Sequence, residues 1–153
     1  MLLEDEFFEK LSEVELWQRY CGFLDLSVNE FLDIQRELLM DQIDRVDGSV
    51  LARKIMGDQK PKSPEEFRRI VPLTTYDDYE AYLGDCRDDS LAIRPHMWCH
   101  SSGKGGRFKW IPLSEEFVQK ATKNCLSTLI LATAKQKGQV NISKGARFLL
   151  MLA

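Results

Sequence analysis

The sequence predicts an α/β fold in which a helical N-terminal segment is followed by a glycine-loop β-hairpin, a long helix and a buried strand. Apolar residues recur at helical spacing through the first half of the chain. Two extended runs then flank a glycine-rich loop at residues 101–106, and residues 147–153 form a continuous apolar run, RFLLMLA. We therefore divide the chain into a helical segment, 1–94, and the start of an α/β subdomain, 95–153.

The first two helices are predicted from their apolar faces. One stripe indicates a single helix over about residues 4–24. A second helix begins after Ser27, where Ser27 and Glu30 form a capping box, and runs to about Val46. Its apolar residues spread widely, so we expect it to be covered on more than one side. The stripe of the first helix consists of Phe7, Leu11, Val14, Trp17, Cys21 and Leu24.

Three short helices follow in the same half. The first spans residues 50–56 and ends at Gly57, which can adopt the left-handed conformation. The second begins at Pro64 with Ser63 as its cap. Pro72 disfavours helical geometry at the residue before it, and Thr74 or Thr75 then caps a third helix that reaches about Leu83.

The second half predicts strand, loop, strand and helix. After Pro95 the two extended runs should pair across the loop, because glycine allows backbone angles that other residues resist. Ser114 then caps a long helix that Gly138 ends. Its predicted buried face consists of Phe117, Ala121, Cys125, Thr128, Leu129 and Ala132. A final strand buried on both faces needs neighbours in a sheet, so we expect the chain to be a fragment of a larger domain.

Composition and charge exclude several classes of function. The chain has 153 residues, 44% of them hydrophobic, and a net charge of −3, which provides no positive field for nucleic acid. A basic leader with a long apolar run is missing, as is a stretch of about 18 apolar residues that could span a membrane. We expect a cytoplasmic protein that binds neither nucleic acid nor membrane.

The cysteines and histidines predict no metal site. The four cysteines are widely spaced and are expected to be reduced. His96, Cys99 and His100 do cluster, with Cys86 upstream, and could in principle bind a metal. They lack the regular spacing of a four-ligand zinc site, and the alternative is that they alternate across a strand.

The loop at 101–106 is the candidate binding site. Its hydroxyls, glycine amides and lysines could hold phosphate oxygens, because glycine lets the backbone approach closely and lysine supplies charge. The spacing is not that of a Walker loop, nor does a helix open at the glycines as in a dinucleotide-binding fold. A structural turn is the alternative. The candidate nucleotide-binding residues are Ser101, Ser102, Gly103, Lys104, Gly105, Gly106 and Lys109.

Two phrases carry a family resemblance. The run SSGKGGRFKWIP, residues 101–112, resembles the phosphate-binding loop of adenylate-forming enzymes. The upstream run FRRIVPLTTYDDYEAYL, residues 67–83, is similar to the segment before that loop in the auxin-responsive acyl acid-amido synthetases, and more loosely to phenylacetate-coenzyme A ligase. The resemblance covers most of the chain and implies that it is the incomplete N-terminal domain of such an enzyme, with an ATP-binding subdomain beginning at residue 95.

The resemblance also implies a reaction. ATP and a carboxylic acid would form an acyl-adenylate and pyrophosphate with the help of magnesium, and the acyl group would pass to an amine, such as an amino acid, or to a thiol. The loop would hold the β- and γ-phosphates, with hydroxyls from the serines, amides from the glycines and charge from Lys109. The adenine and acyl pockets and the lid domain would lie beyond Ala153, so this chain alone should be inactive.

Three positions depart from the family pattern. Lys104 and Gly105 stand where the family has hydroxyl residues, and Phe108 stands where proline is common. Two alternative functions stay open: a non-catalytic helical protein-interaction module in which the hairpin is only a turn, or an unrelated nucleotide-binding domain of kinase type that uses the hairpin as a flap. The acid, the acceptor, the catalytic residues and the oligomeric state are not indicated by the sequence.

Overall fold

Over the residues that the structure describes, the chain is mostly helical with one small antiparallel sheet. The computed structural model describes residues 4–103 and 106–147. Within them the helices are α1 (Glu4–Lys10), α2 (Glu13–Cys21), α3 (Val28–Val46), α4 (Val50–Met56), α5 (Pro64–Ile70), α6 (Asp77–Leu83) and α7 (Glu115–Thr133). The two strands are β1 (Met97–His100) and β2 (Trp110–Leu113), and 3-10 turns lie at Gly22–Asp25, Gly84–Cys86 and Asp88–Ser90.

Two compact units make up the chain. One contains residues 1–27 and 119–153, and the other contains residues 28–118. The unit of residues 28–118 includes the glycine loop and the hairpin. Our division at residue 94 into a helical segment and an α/β subdomain stays a prediction.

The single helix predicted over residues 4–24 is wrong. The chain forms α1 and α2 with a break at Leu11 and Ser12, followed by the 3-10 turn. Ser12 caps α2: its hydroxyl oxygen accepts from the amide of Glu15 at 3.3 Å, and the Glu15 carboxylate accepts from the amide of Ser12 at 2.8 Å. This capping box begins a new helix and so ends the old one. Val14, on the predicted stripe, is 76% exposed.

The core of the first unit forms around α2. Leu16, Trp17, Tyr20, Cys21 and Ile130 are buried together, and partly buried residues such as Leu126, Val140 and Ile142 pack against them. Phe8 stacks on Tyr20 with ring centroids 5.6 Å apart. Residues distant in sequence therefore close one apolar cluster, which supplies most of the driving force for folding of this unit.

Helix α3 has the predicted bounds but not the predicted burial. Only its C-terminal part is covered, where Ile43 forms a second core with Ala52 and Met56, flanked by Phe67 and Val71. The expectation that α3 is covered on more than one side is wrong, because the neighbouring elements α4 and α5 pack only near its end. The exposed apolar residues of its first part are Val28, Phe31, Leu32, Ile34 and Leu38.

The short helices test the cap predictions. Gly57 ends α4 with φ of 67°, and the Ser63 hydroxyl oxygen accepts from the Glu66 amide at 3.1 Å to begin α5, as predicted. The prediction that Thr74 or Thr75 caps α6 is wrong. Tyr76 is the residue before this helix, and the Thr75 hydroxyl instead donates to the carboxylate of Asp78 at 3.2 Å. The same carboxylate of Asp78 also accepts from the Thr75 amide, at 2.8 Å.

Helix α7 begins as predicted, since the Ser114 hydroxyl oxygen accepts from the amide of Phe117 at 3.1 Å. The helix ends at Thr133, earlier than the predicted end at Gly138. At the observed end, the side-chain amide of Asn141 donates to the Thr133 carbonyl at 2.7 Å. Its predicted face is also wrong. The buried residues are Ser127 and Ile130, whereas Cys125 is exposed.

Several further predictions concern the rest of the chain. The terminal strand at residues 147–153 lies almost entirely outside the described residues. The cysteines are free thiols. None of the helices that the structure describes is long and apolar enough to cross a membrane.

Candidate functional site

The candidate site is the loop of an antiparallel hairpin, and β1 and β2 pair as the sequence predicts. The register places Cys99 opposite Ile111 and His100 opposite Trp110. Beyond the strands the pairing continues for one step, because the Ser101 amide donates to the Lys109 carbonyl at 3.0 Å. The Lys109 amide returns the bond to the Ser101 hydroxyl oxygen at 3.1 Å, where a regular ladder would use the carbonyl. Ser101 and Lys109, both candidate residues, thus lie side by side.

Glycines shape the loop between these two residues. The Gly106 amide donates to the Gly103 carbonyl at 2.8 Å. Gly103 has φ of 67° and Gly106 has φ of 93°, values that residues with a side chain rarely adopt. The tip, Lys104 and Gly105, lies outside the described residues, and all seven candidates stay predictions as nucleotide-binding residues.

The hydrogen bonds of the hairpin determine which loop amides remain for a ligand. The amides of Ser101, Gly106 and Lys109 are already used. Those of Ser102 and Gly103 make no hydrogen bond to any residue in the described parts of the chain. A phosphate would therefore meet the start of the loop more readily than its end. The Ser101 hydroxyl oxygen accepts one bond, which leaves its hydrogen free to be donated.

Tyr76, the residue before α6, holds β2 from the side that β1 leaves open. Its hydroxyl accepts from the Trp110 amide at 2.7 Å and donates to the Trp110 carbonyl at 3.1 Å. The ring of Trp98 makes a second link, since its Nε1 donates to Asp88 at 3.1 Å. Both strands of the hairpin are thus fixed to the segment that precedes them.

Charge near the loop is distributed unevenly. Arg107 pairs with Glu80 of α6 at 3.4 Å. The Nζ of Lys109 lies 5.6 Å from the centroid of the Tyr76 ring, within the range of a cation–π interaction. Within the described residues no carboxylate pairs with Lys109. This ammonium group is therefore available to an anionic ligand.

An aromatic cluster supports the other face of the hairpin. His100 packs edge-on against Phe108, with centroids 4.7 Å apart, and against Trp110 at 5.6 Å. Its Nδ1 lies 3.1 Å from the Ser101 carbonyl oxygen. A carbonyl only accepts, so Nδ1 carries the hydrogen of this bond. The ring of Phe108 in turn lies over Gly103.

The sequence reasoning missed the roles of Tyr76 and His100. In the predicted third short helix, Tyr76 is only one of the residues that follow the cap, although it lies in the run FRRIVPLTTYDDYEAYL that carries the family resemblance. His100 was considered as a metal ligand. The described residues contain no group of three or more His, Cys, Asp or Glu side chains that could hold a metal. Partial burial, with Asp85 and Asp88, raises the pKa of the Cys86 thiol, which disfavours the thiolate that binds metals.

Comparison with known families bears directly on this region. The family model described as the GH3 family N-terminal domain matches residues 22–152, a range that includes the whole hairpin. No curated protein and no solved structure matches the chain. The match extends over most of the sequence and includes both phrases that carry the resemblance. The chain belongs to the GH3 family, the auxin-responsive acyl acid-amido synthetases.

Proposed function

We propose that this chain supplies the phosphate-binding loop of an ATP-dependent ligase, which activates a carboxylic acid as its acyl-adenylate. The acyl group is then transferred to an amine, such as an amino acid, or to a thiol. Membership of the GH3 family carries this proposal. The geometry of the hairpin supports it, because within the described residues its glycine loop contains amides without a hydrogen-bond partner and a lysine without a carboxylate partner.

The loop residues have separate roles in this proposal. The hydroxyls of Ser101 and Ser102 and the amides of Gly103, Gly105 and Gly106 bind phosphate oxygens, and Lys104 and Lys109 contribute charge. The Gly106 amide already donates to Gly103, so its bond to phosphate requires the turn to adjust on binding. Ser102 and Gly103 need no such adjustment. Among the described loop residues, we therefore expect these two to be the principal amide donors.

The chemistry explains why such a loop is useful. A carboxylate oxygen of the acid attacks the α-phosphorus of ATP, and the bond to the β-phosphate oxygen breaks as pyrophosphate leaves. The amine or thiol then attacks the acyl carbon, and AMP leaves. Negative charge accumulates on the pyrophosphate in the first step. Amides and a lysine fixed around those oxygens stabilise that charge with little reorganisation.

Magnesium would enter this site bound to the phosphates of ATP. The described residues provide no cluster of three metal-binding side chains. Magnesium commonly binds through phosphate oxygens and water with only one or two carboxylates, so a dedicated protein cage is not needed. When bound, it would neutralise phosphate charge beside the loop lysines.

The binding of ATP to the protein made from the full coding sequence that contains this chain tests the loop assignment. Lys109→Ala should weaken binding roughly 10- to 100-fold, since a hydrogen bond to a charged group contributes about 1.5–3 kcal/mol. Lys54→Ala, which removes an exposed lysine from α4, is the matched control and should bind as the parent does. Equal ATP affinity of the Lys109→Ala variant and the parent would contradict the assignment.

Activity requires a second experiment. The protein made from the full coding sequence that contains this chain should exchange labelled pyrophosphate into ATP only when an acid substrate is present. Lys109→Ala should reduce that exchange sharply. Exchange at the parental rate in the variant would remove Lys109 from the proposed phosphate site.

A further inference from the structure

The backbone of Trp110 is held by a single side chain. In an antiparallel pair, hydrogen-bonded and non-hydrogen-bonded residue pairs alternate. Ser101 and Lys109 exchange hydrogen bonds, so His100 and Trp110, the next pair, do not. The amide and carbonyl of Trp110 therefore point away from β1. Both are bound by the hydroxyl of Tyr76, at 2.7 and 3.1 Å.

The same tyrosine also contacts the neighbouring lysine. Trp110 directly follows Lys109, and the Lys109 ammonium lies 5.6 Å from the centroid of the Tyr76 ring. A lysine side chain has several rotatable bonds and loses conformational entropy when it is fixed. The aromatic face attracts the cation and restricts it without neutralising it, as a carboxylate would.

We infer that Tyr76 is a positioning residue for the phosphate-binding loop, which fixes the strand next to Lys109 through its hydroxyl and orients the Lys109 ammonium through its ring. The inference rests on the proposed function. The inference goes beyond the proposed function because it assigns a role to a residue upstream of the loop. The hydroxyl and the ring of Tyr76 have separate roles, so different substitutions can remove each of them.

Amide exchange and side-chain NMR of the free protein test the positioning directly. Tyr76→Phe removes the hydroxyl, and the Trp110 amide should exchange roughly five- to tenfold faster, as expected for the loss of one hydrogen bond. The ring remains, so the ring-current shift of the Lys109 ε-methylene protons should persist. Tyr76→Leu should abolish that shift. Tyr82→Phe, a matched change within α6, should alter neither signal.

ATP affinity connects this geometry to function. Tyr76→Leu should weaken ATP binding roughly tenfold in the parent, and much less in the Lys109→Ala background, because the ring acts through the lysine. An equal loss in both backgrounds would overturn the inference. An unchanged exchange rate of the Trp110 amide in Tyr76→Phe would also overturn the inference. If ATP binding were intact in that variant, the proposed function would still stand. If the parent chain and the full-length protein bind no ATP, the proposed function fails and the inference fails with it.

Discussion

The ring of Phe108 lies against the α-carbon of Gly103, across the candidate loop. A Cβ added to Gly103 would stand 3.0 Å from both the Cδ1 and the Cε1 of that ring, closer than such atoms ordinarily approach. Gly103 also has φ of 67°. Two independent restrictions therefore apply at one residue: a backbone angle that favours glycine, and an aromatic ring that would have to shift to admit a side chain.

Gly103→Ala should consequently destabilise the chain by roughly 1–2 kcal/mol, from backbone strain together with displacement of Phe108. Gly106→Ala is the matched control. Gly106 has a similar φ, 93°, but nothing lies within 4 Å of its added Cβ, so only the backbone contribution of about 1 kcal/mol remains. Urea unfolding measures both free energies.

A Phe108→Ala background separates the two contributions at Gly103. With the ring absent, Gly103→Ala should cost no more than Gly106→Ala. If both glycine variants were equally destabilising while Phe108 was present, the contact between the ring and Gly103 would have no energetic significance.

Ser12 separates α1 from α2, and its hydroxyl should account for much of that boundary. Ser12→Ala should lower the free energy of unfolding by about 1 kcal/mol, as is typical for the loss of an N-cap. Ser12→Thr retains the acceptor oxygen and should cost considerably less. Chemical denaturation of the two variants tests this, and equal losses would mean that the oxygen is not the stabilising group.

The local signals of the sequence predict much of this fold. The caps at Gly57, Ser63 and Ser114 lie next to the helices that they delimit, and these signals act over a few residues. The capping box of Ser12 and Glu15 is equally local, but the apolar stripe continues across these residues and predicts one uninterrupted helix. Hydrophobic periodicity alone therefore misjudged where one helix ends and the next begins.

Contacts over long sequence separation could not be predicted in the same way. Tyr76 and Trp110 are 34 positions apart, and nothing in either residue's neighbourhood indicates the partner. The buried face of α7 failed for a related reason. Apolar counting excluded Ser127, which is buried because its hydroxyl finds carbonyl partners in the fold. The hairpin, in contrast, was predicted from its own local residues and is confirmed, whereas phosphate binding by its loop stays a prediction.

Tyr20 should make the first unit sensitive to alkali. Burial and a hydrogen bond to Glu4 raise the pKa of the Tyr20 hydroxyl to about 12, above the value near 10 that an unfolded chain shows. The folded state therefore holds this proton more tightly, and the corresponding stability is fully present below pH about 10 and is lost as the pH rises towards 12. The loss should be on the order of 2 kcal/mol.

Tyr20→Phe isolates that contribution, because it removes the titrating group and keeps the ring. The difference in unfolding free energy between parent and variant should shrink between pH 10 and 12, and difference absorbance should assign a pKa of about 12 to the missing tyrosinate. A difference that stays constant over this range would contradict the assignment.

Ser127 and Thr128 allow a test of how burial changes the contribution of a hydroxyl that donates to a helix carbonyl. Each hydroxyl donates to the carbonyl four residues earlier in α7, at 2.9 Å. Ser127 is buried and shares its one hydroxyl hydrogen with the Tyr20 carbonyl, whose oxygen lies 2.6 Å from the Ser127 Oγ, whereas Thr128 is exposed. Ser127→Ala leaves the carbonyl of Tyr20 without that donor and should cost about 1–2 kcal/mol. Thr128→Ala should be nearly neutral, because water replaces the lost partner. Thermal unfolding of both variants compares them, and a Ser127→Ala variant as stable as the parent would show that the bond to Tyr20 contributes nothing net.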